Sequence, residues 1–448
     1  MSQGQEAATA GRQGYGRAWY AVGVLLLLYC LSFTDRLILS LIAAPVTESL
    51  NISDTQLGLL FGVGFGVLYA LAGLPLAQLI DRSHRVRIVS IGVALWSICT
   101  IASGFAQTFT ELLVLRSGVA IGEAVLSPAA ISIIADLFPR EKRTLPTAVY
   151  TSVGIFMGAG ALVAGGLALD IAGLFAQGAQ MEPWRLALVV VGLPGLIIAP
   201  IFLLTVREPV RKVEPGTGDF ATARQAIAYV RSEARLYGWL FVGIGALAIV
   251  SFSFQGWAPT ILIRGYGLSP QQVGYVFGTI GTIGGIAGAV VAPSLAAAWT
   301  RKGRRDALII LLAGGAAVAT SAAFVTGVTR TESVVMVAVG VLFFFASAGT
   351  LLMPLLVQYV TPGRVRARIM AGYMMSSNLV GLAIGPALTA WISERFFTGP
   401  FALASALALV AGVFGPISAT SILLARKRYV IALDAADTRE RATQAAAN

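Results

Sequence analysis

The sequence predicts an all-α integral membrane protein with twelve transmembrane helices in two pseudo-symmetric six-helix bundles. Three observations support this fold class: the composition, the lengths of the apolar segments, and a repeat that relates the two halves of the chain. Of the 448 residues, 57% are hydrophobic and only 12% are charged. The surface of a soluble protein of this size needs far more charge. We therefore expect most of the chain to lie within a membrane.

Twelve stretches of the chain are long and apolar enough to form spans, because a spanning helix needs about 20 mostly apolar residues. The predicted spans are 18–45, 55–80, 88–106, 109–138, 145–172, 185–206, 235–263, 270–299, 307–328, 333–361, 367–395 and 399–425. Several exceed the minimum length, which indicates tilt or a helical extension beyond the membrane.

The distribution of basic residues predicts the orientation of these spans. If the N-terminus is inside, 26 of the 32 Lys and Arg residues fall in the inner loops and tails. This bias predicts that both termini are cytoplasmic, and we expect a multi-pass protein of the inner (cytoplasmic) membrane. The first 17 residues carry no apolar core of a cleavable signal peptide.

The net charge of +11 favours contact with anionic membrane lipids. It does not indicate nucleic acid, because no basic module stands apart from the spans.

A long polar interval divides the chain into halves. Residues 207–234 carry Pro, Gly and mixed charge, and then a short stretch with apolar residues at helical spacing, which predicts a linker with an amphipathic surface helix. The predicted domains are a cytoplasmic N-terminal tail (1–17), an N-terminal six-helix bundle (18–206), the cytoplasmic linker (207–234), a C-terminal six-helix bundle (235–425) and a cytoplasmic C-terminal tail (426–448).

The two halves repeat short blocks in the same order. The block "ISDTQLGLLFG" (52–62) recurs as "LSPQQVGYVFG" (268–278), and "PREKRTLPTAVY" (139–150) recurs as "PGRVRARIMAGY" (362–373). Six helices repeated around a long inner loop are typical of transporters with a site between the halves. Glycines at four-residue spacing permit close helix packing and also lower the cost of bending; packing alone is enough to explain them.

Asp35, Arg36, Arg116 and Glu123 are charged residues in the middle parts of predicted spans, where charge is costly and usually marks a pathway or an interior contact. Asp35 and Arg36 are adjacent in the first span, so their side chains point about 100° apart and cannot be each other's main partner. Arg116 and Glu123 share one face of the fourth span. We expect Arg36 to pair with Glu123, which would leave Asp35 less compensated and able to carry a proton. The alternative is a purely structural ion pair between spans 1 and 4.

The loop between spans 2 and 3, "GLPLAQLIDRSHRVR" (73–87), resembles the inner-loop motif of the major facilitator superfamily. Asp81, Arg82 and Arg85 match the motif, while Ala77 and His84 stand where glycines are usual. The resemblance implies that Asp81 caps a helix across the cytoplasmic seam. It also implies that Arg82 or Arg85 meets Asp136, forming a conformational latch of the outward-facing state. The alternative is a plain basic loop.

The N-terminal half resembles the spinster branch of that superfamily, on "LSFTDR", "SDTQLGLLFG", "YALAGLPLAQLIDR", "RSGVAIGEA" and "SPAAISIIADLFP". The resemblance implies proton-coupled transport, by alternating access, of a lysophospholipid or sphingosine-1-phosphate type of substrate. It makes Asp35, Arg36, Arg116 and Glu123 candidates for proton coupling. Substrate-binding candidates, besides Arg36 and Glu123, are Phe33, Tyr150, Phe254, Met353, Tyr373 and Met374, although aromatic and Met residues in spans more often serve packing.

Two other functions compete with lipid transport. The first is proton-coupled transport of small organic anions or drugs, with Arg36 or Arg116 binding the anion. The second is a membrane sensor or enzyme, which is disfavoured because the sequence has no phosphate-binding loop and no serine or cysteine beside an obvious base. Two isolated cysteines predict neither a disulfide framework nor a metal site. We expect a monomer that needs no cofactor other than a proton gradient.

Overall fold

The computed structural model describes residues 2–211 and 223–447, and in this part of the chain every regular element is a helix. The α-helices are α1 (Ser2–Leu41), α2 (Ala43–Leu50), α3 (Asp54–Phe61), α4 (Leu68–Arg82), α5 (Arg85–Ser103), α6 (Phe109–Glu123), α7 (Leu126–Leu137), α8 (Thr144–Ala179), α9 (Pro183–Thr205), α10 (Ala223–Ser232), α11 (Ala234–Tyr266), α12 (Pro270–Arg301), α13 (Ala307–Val328), α14 (Glu332–Val360), α15 (Gly363–Phe396) and α16 (Ala402–Ala447). A π-helix (Val63–Val67) joins α3 to α4, and a 3₁₀ turn (Arg140–Lys142) precedes α8.

The twelve predicted spans are confirmed. Within the described residues, twelve helical segments are long and apolar enough to cross a membrane. The first differs from its prediction because it ends at Leu41, and Pro45 lies in the separate helix α2. Proline has no N–H to continue the hydrogen-bond ladder of α1, which explains the break. The last segment runs to Arg439, beyond the predicted end at 425.

The fourth span is two helices, α6 and α7, with a turn between Glu123 and Leu126. The turn was not predicted. Its physical cause is Pro128, which cannot donate the helical hydrogen bond to the carbonyl of Ala124. Because the break follows Glu123 directly, this carboxylate lies at the end of a helix rather than in its middle.

The backbone contacts divide the chain into two compact units. Unit 1 comprises Met1–Ser53, Gly64–Val213 and Ser269–Gly278, and unit 2 comprises Asp54–Val63, Glu214–Leu268 and Thr279–Asn448. Each half of the sequence thus contributes one short segment to the unit formed mainly by the other half. These two segments belong to the repeated blocks 52–62 and 268–278. The predicted bundle boundaries, from 18 to 206 and from 235 to 425, stay a prediction.

Glycines in the repeated blocks allow backbones to approach closely inside each unit. In unit 2, a Cβ on Gly58 would lie 3.0 Å from the Cα of Ala387 in α15. In unit 1, a Cβ on Gly274 would lie 2.7 Å from the carbonyl oxygen of Leu162 in α8. Both distances are shorter than ordinary contact, so the helices can pack this closely only with glycine at these two positions.

Part of the predicted linker is described. The amphipathic surface helix is present as α10, with Ala226 buried against the core of unit 2 and Ile227 exposed. Residues 212–222, the central part of the linker prediction, lie outside the described residues.

The crossing of α5 and α6 positions the charged face of the fourth span. A Cβ on Gly122 would lie 2.7 Å from the carbonyl oxygen of Gly92 and 2.9 Å from the backbone nitrogen of Trp96. The two helices can therefore approach this closely only with glycine at 122.

We predict that Gly122→Ala lowers the free energy of unfolding by about 1–3 kcal/mol, because the added methyl group meets rigid backbone atoms. Gly173→Ala in α8 is the matched control, since a Cβ there meets nothing within 4 Å and alanine favours the helix. Thermal unfolding of both variants in detergent measures the difference. Equal melting temperatures would contradict the packing assignment of Gly122.

Candidate functional site

Asp35 in α1 is buried and forms an ion pair with Arg116 in α6. Nη1 of Arg116 lies 2.7 Å from Oδ1 of Asp35, and Nη2 donates to the backbone carbonyl of Asp35 at 3.1 Å. The hydroxyl of Thr100 in α5 donates to the other carboxylate oxygen. Asp35 is 2% exposed and Arg116 is 1% exposed. Three helices therefore surround one carboxylate, and both of its oxygens accept hydrogen bonds.

A second ion pair joins Arg36 in α1 to Glu123 at the end of α6. Nη2 of Arg36 lies 2.7 Å from Oε2 of Glu123, which also accepts a hydrogen bond from Ser32 at 2.9 Å. The Glu123 side chain is fully buried, whereas that of Arg36 is 26% exposed. The Nε of Arg36 and the Oε1 of Glu123 are buried and have no hydrogen-bond partner among the described residues.

One predicted pairing is confirmed and one expectation is wrong. Arg36 pairs with Glu123, as the sequence predicted. Asp35 is not the less compensated residue, because Arg116 and Thr100 satisfy both of its oxygens. Sequence reasoning missed the partner because it placed Arg116 only relative to Glu123, on its own helix.

The uncharged partners, Thr100 and Ser32, were also missed. Ser32 is one helical turn before Arg36, and this four-residue spacing is the one signal that could have suggested that both approach the same carboxylate. Thr100 lies in an apolar span without any charged neighbour in sequence, so nothing local marked it.

An aromatic row leads to the Arg36 guanidinium within unit 1. Tyr150 stacks on Tyr29 with ring centroids 4.9 Å apart, and Tyr29 contacts Phe33 at 5.2 Å. The Cζ of Arg36 lies 5.4 Å from the ring centroid of Phe33 and 4.5 Å from that of Phe65. Such distances allow cation–π attraction. The predicted site residues Phe33 and Tyr150 thus lie in one aromatic surface with Arg36.

The π-helix supplies the rings that sequence reasoning missed. Phe65 lies inside Val63–Val67, and Tyr69 stacks on it one turn later, with its own ring 5.3 Å from the Cζ of Arg36. π-Helical turns are rare and occur frequently at functional sites. The glycines at 64 and 66 flank Phe65 and are the sequence signal that could have marked the turn.

The other four predicted substrate contacts lie in unit 2. Phe254 and Met353 are buried in its interior, Tyr373 is half-buried, and Met374 is 53% exposed. Met353 belongs to the apolar core of the unit, which supports a packing role. Contact of these four residues with a substrate stays a prediction.

Comparison with known proteins identifies the family. The family model of the Major Facilitator Superfamily matches residues 25–379. The chain belongs to the major facilitator superfamily. It is 32% identical over 289 residues to an MFS-type efflux pump of Mycolicibacterium smegmatis, a match that covers 64% of each chain. It is 28% identical over 392 residues to the protein spinster of Drosophila melanogaster, covering 84% of this chain and 62% of that protein.

Structural comparison supports the same relationship. The crystal structure of a bacterial homolog of the human lysosomal transporter spinster, in an inward-facing and unoccupied conformation, has a TM-score of 0.76 and 25% identity. It covers 93% of this chain and 97% of that one. This protein is therefore a superfamily member that is similar to spinster. The chain spans slightly less than two thirds of the length of the first two relatives.

The loop motif of the superfamily forms a buried network at the end of unit 1 that contains the loop 80–87, here called the basic end. Arg85 is 1% exposed. Its Nη1 lies 2.5 Å from Asp136 in α7, and its Nε lies 2.6 Å from Glu208, just after α9. Of the two arginines predicted to meet Asp136, Arg85 does so. Glu208 was missed because it lies in the polar linker.

The remaining motif residues are exposed. Asp81 and Arg82 lie at the end of α4, and no side-chain partner of either is present among the described residues. Their role in a conformational latch, together with that of Arg85 and Asp136, stays a prediction.

We predict that Arg85→Ala lowers the free energy of unfolding by about 3 kcal/mol, because it removes the guanidinium that two largely buried carboxylates contact. Arg82→Ala, on the same loop, is the control and should change the stability by less than about 0.5 kcal/mol. Denaturant titration in detergent compares them. A larger loss in Arg82→Ala would show that the network is assigned to the wrong arginine.

A double-mutant cycle on Asp35→Asn and Arg116→Gln should give a coupling energy of about 2 kcal/mol or more, because each single change leaves a buried charge unpaired. The control cycle combines Asp35→Asn with Arg185→Gln, a buried arginine that instead contacts Glu182 and the end of α5. Its effects should add within about 0.5 kcal/mol. Additive effects in the first cycle would contradict the pairing.

Proposed function

We propose that this superfamily member is a proton-coupled secondary transporter that moves an amphipathic, lipid-like substrate of the lysophospholipid or sphingosine-1-phosphate type by alternating access. The observation that carries the proposal is the Arg36–Glu123 pair. Its carboxylate is fully buried in a helical unit, it retains one unused donor and one unused acceptor among the described residues, and it ends an aromatic row.

The geometry around Arg36 suits an anionic head group. The Arg36 side chain is partly exposed, while that of Glu123 is fully buried, so an incoming anion would reach the cation before the acid. Arg presents a planar fork that matches phosphate and carboxylate oxygens. The rings of Phe33 and Tyr29 continue from this point as an apolar surface that can contact an alkyl chain. A charged head and an apolar tail would therefore bind side by side.

Charge balance provides the coupling to protons. If a substrate anion binds the Arg36 guanidinium in place of Glu123, Glu123 loses its counter-ion at a depth where an unpaired charge is costly. A proton on the unpartnered Oε1 would neutralise it. Asp35 is the second candidate carrier, but its protonation must first weaken the contacts from Arg116 and Thr100. Substrate binding and proton uptake would thus favour each other.

A second candidate function is export of small organic anions or drugs. The similarity to an efflux pump supports it, as does the partial exposure of the Arg36 side chain. The two proposals share the anion contact and differ in whether an alkyl tail contributes to binding.

The proposed setting is the inner membrane, with both termini cytoplasmic, and the protein acts as a monomer. The excess of Lys and Arg in one set of loops supports this orientation. Apart from the proton gradient, the proposal requires no cofactor, and its partners are the substrate and the membrane lipids.

Uptake and efflux in reconstituted vesicles test the proposal. Lysophosphatidic acid and glycerol 3-phosphate share one head group and differ by the acyl chain, so preference for the former by at least tenfold is expected of a lipid transporter. Equal transport would favour the small-anion function. If neither lysophosphatidic acid nor glycerol 3-phosphate bound to the protein, the proposed anion contact at Arg36 would be contradicted.

We predict that Asp35→Asn and Glu123→Gln each abolish proton-driven accumulation while substrate exchange without a gradient continues, because a neutral amide cannot cycle a proton. Glu111→Gln is the matched control, since this exposed acid lies at the start of α6, and it should transport normally. Loss of proton-driven accumulation in Glu123→Gln but not in Asp35→Asn would identify Glu123 as the proton carrier. Wild-type pH dependence in both variants would refute the coupling.

A further inference from the structure

A shallow cavity that is largely open lies at the basic end of unit 1, where α5 begins and α9 ends. Its volume is ≈ 410 Å³. The cavity is lined by His84, Arg87, Leu203, Leu204, Val206, Arg207 and Glu208. Thr100, which contacts Asp35, lies fifteen residues further along α5, or about 22 Å at the rise of an α-helix. The cavity is therefore separate from the buried ion pairs.

Hydrogen bonds fix the walls of this cavity. Glu208 lies 2.6 Å from Nε of Arg85, and this contact holds the chain after α9 against the start of α5. Arg211 donates to the carbonyls of Ile80 and Ser83, at 2.6 Å each. The segment that follows α9 is thus tied to the preceding loop at two points, and the cavity between them is pre-formed.

The charge of the cavity is positive. Its one acid, Glu208, is occupied by Arg85 and lies 3.1 Å from Nδ1 of His84. The side chains of Arg87 and Arg207 are exposed, and neither makes a hydrogen bond or an ion pair with the part of the chain that the structure describes. Two guanidinium groups therefore remain available for an anionic ligand.

The apolar side of the cavity continues onto the surface of a span. Leu203 is 43% exposed and Leu204 is 83% exposed, both in the last turn of α9. The adjacent Thr205 forms a hydrogen bond of 2.9 Å with the hydroxyl of Tyr20. Tyrosines at the ends of spans mark the level of the lipid head groups. The cavity therefore combines unpaired cations with apolar side chains at the membrane surface.

We infer that this cavity binds the head group of an anionic phospholipid, with the phosphate on Arg87 and Arg207 and the acyl chains along Leu203 and Leu204. Basic pockets between spans are suited to such head groups, and the arginine fork matches phosphate oxygens. The bound lipid would connect the start of α5 to the end of α9. This site is additional to the substrate contact at Arg36.

Native mass spectrometry of the full chain, released from nanodiscs with equal amounts of phosphatidylglycerol and phosphatidylcholine, tests the inference. The wild type should retain one phosphatidylglycerol in preference to phosphatidylcholine. Arg87→Gln/Arg207→Gln should weaken this retention about 25-fold, because each cation lost near the membrane surface weakens binding by a factor of about five. Arg87→Lys/Arg207→Lys keeps both charges and should retain most of the binding.

The matched control is Arg301→Gln/Lys302→Gln, which removes the same charge from the corresponding loop between α12 and α13. Its retention of phosphatidylglycerol should stay within about twofold of the wild type, and melting temperatures should confirm that all variants fold. Equal losses in the control and in Arg87→Gln/Arg207→Gln would show a nonspecific charge effect and overturn the site. Unchanged retention of phosphatidylglycerol in Arg87→Gln/Arg207→Gln would also overturn the proposed site.

Two further measurements separate this lipid from other ligands. Arg36→Ala should leave the phosphatidylglycerol adduct intact, and its loss there would mean that the retained lipid is transported cargo. Inorganic phosphate, titrated by calorimetry in the same detergent, should bind at least tenfold more weakly than phosphatidylglycerol. Equal affinities would show that the acyl chains contribute nothing and would refute the lipid assignment.

Discussion

Asp35 and Arg116 are almost wholly buried, and neither charge could persist at that depth without the other. Their contact links α1 to α6, because the carboxylate must meet a guanidinium that projects from one face of that helix. The neighbouring Arg36 then points about 100° away and reaches Glu123 at the other end of the same face. Two ion pairs from adjacent residues therefore constrain the rotation of α1 about its axis, and Thr100 links α5 to the same carboxylate.

The four charges form a balanced set of two acids and two bases, and this balance gives the site its chemistry. Adding an anion or a proton alone would leave the set charged within a membrane, which is unfavourable. Adding both restores neutrality. Two ligands are coupled whenever the binding of one changes the binding free energy of the other. The two acids differ in their contacts: both oxygens of Asp35 accept hydrogen bonds, whereas Oε1 of Glu123 is buried and has no partner among the described residues. The proposed proton step therefore falls on Glu123 before Asp35.

The sequence predicts the parts of this arrangement that depend on regular patterns. Long apolar runs determine the twelve spans, and the spacing of charges along two helices is enough to pair Arg36 with Glu123. Features that depend on a single local event were not predicted, such as the break before Pro128 and the π-helix around Phe65. Thr100 was missed because an uncharged hydroxyl in an apolar span looks like any other small residue until the fold brings a carboxylate to it.

The direction in which side chains project from a helix also explains how the arginines of the basic end are arranged. Arg85 and Arg87 begin α5 two residues apart, so their side chains project about 200° apart. One is buried against Asp136 and Glu208 and is fully paired. The other is exposed beside Arg207 and Leu204 in the cavity. A single basic segment thus supplies one arginine to the protein interior and another to an exposed cavity. The Lys and Arg residues counted to predict membrane orientation therefore include both a buried, paired arginine and an exposed one.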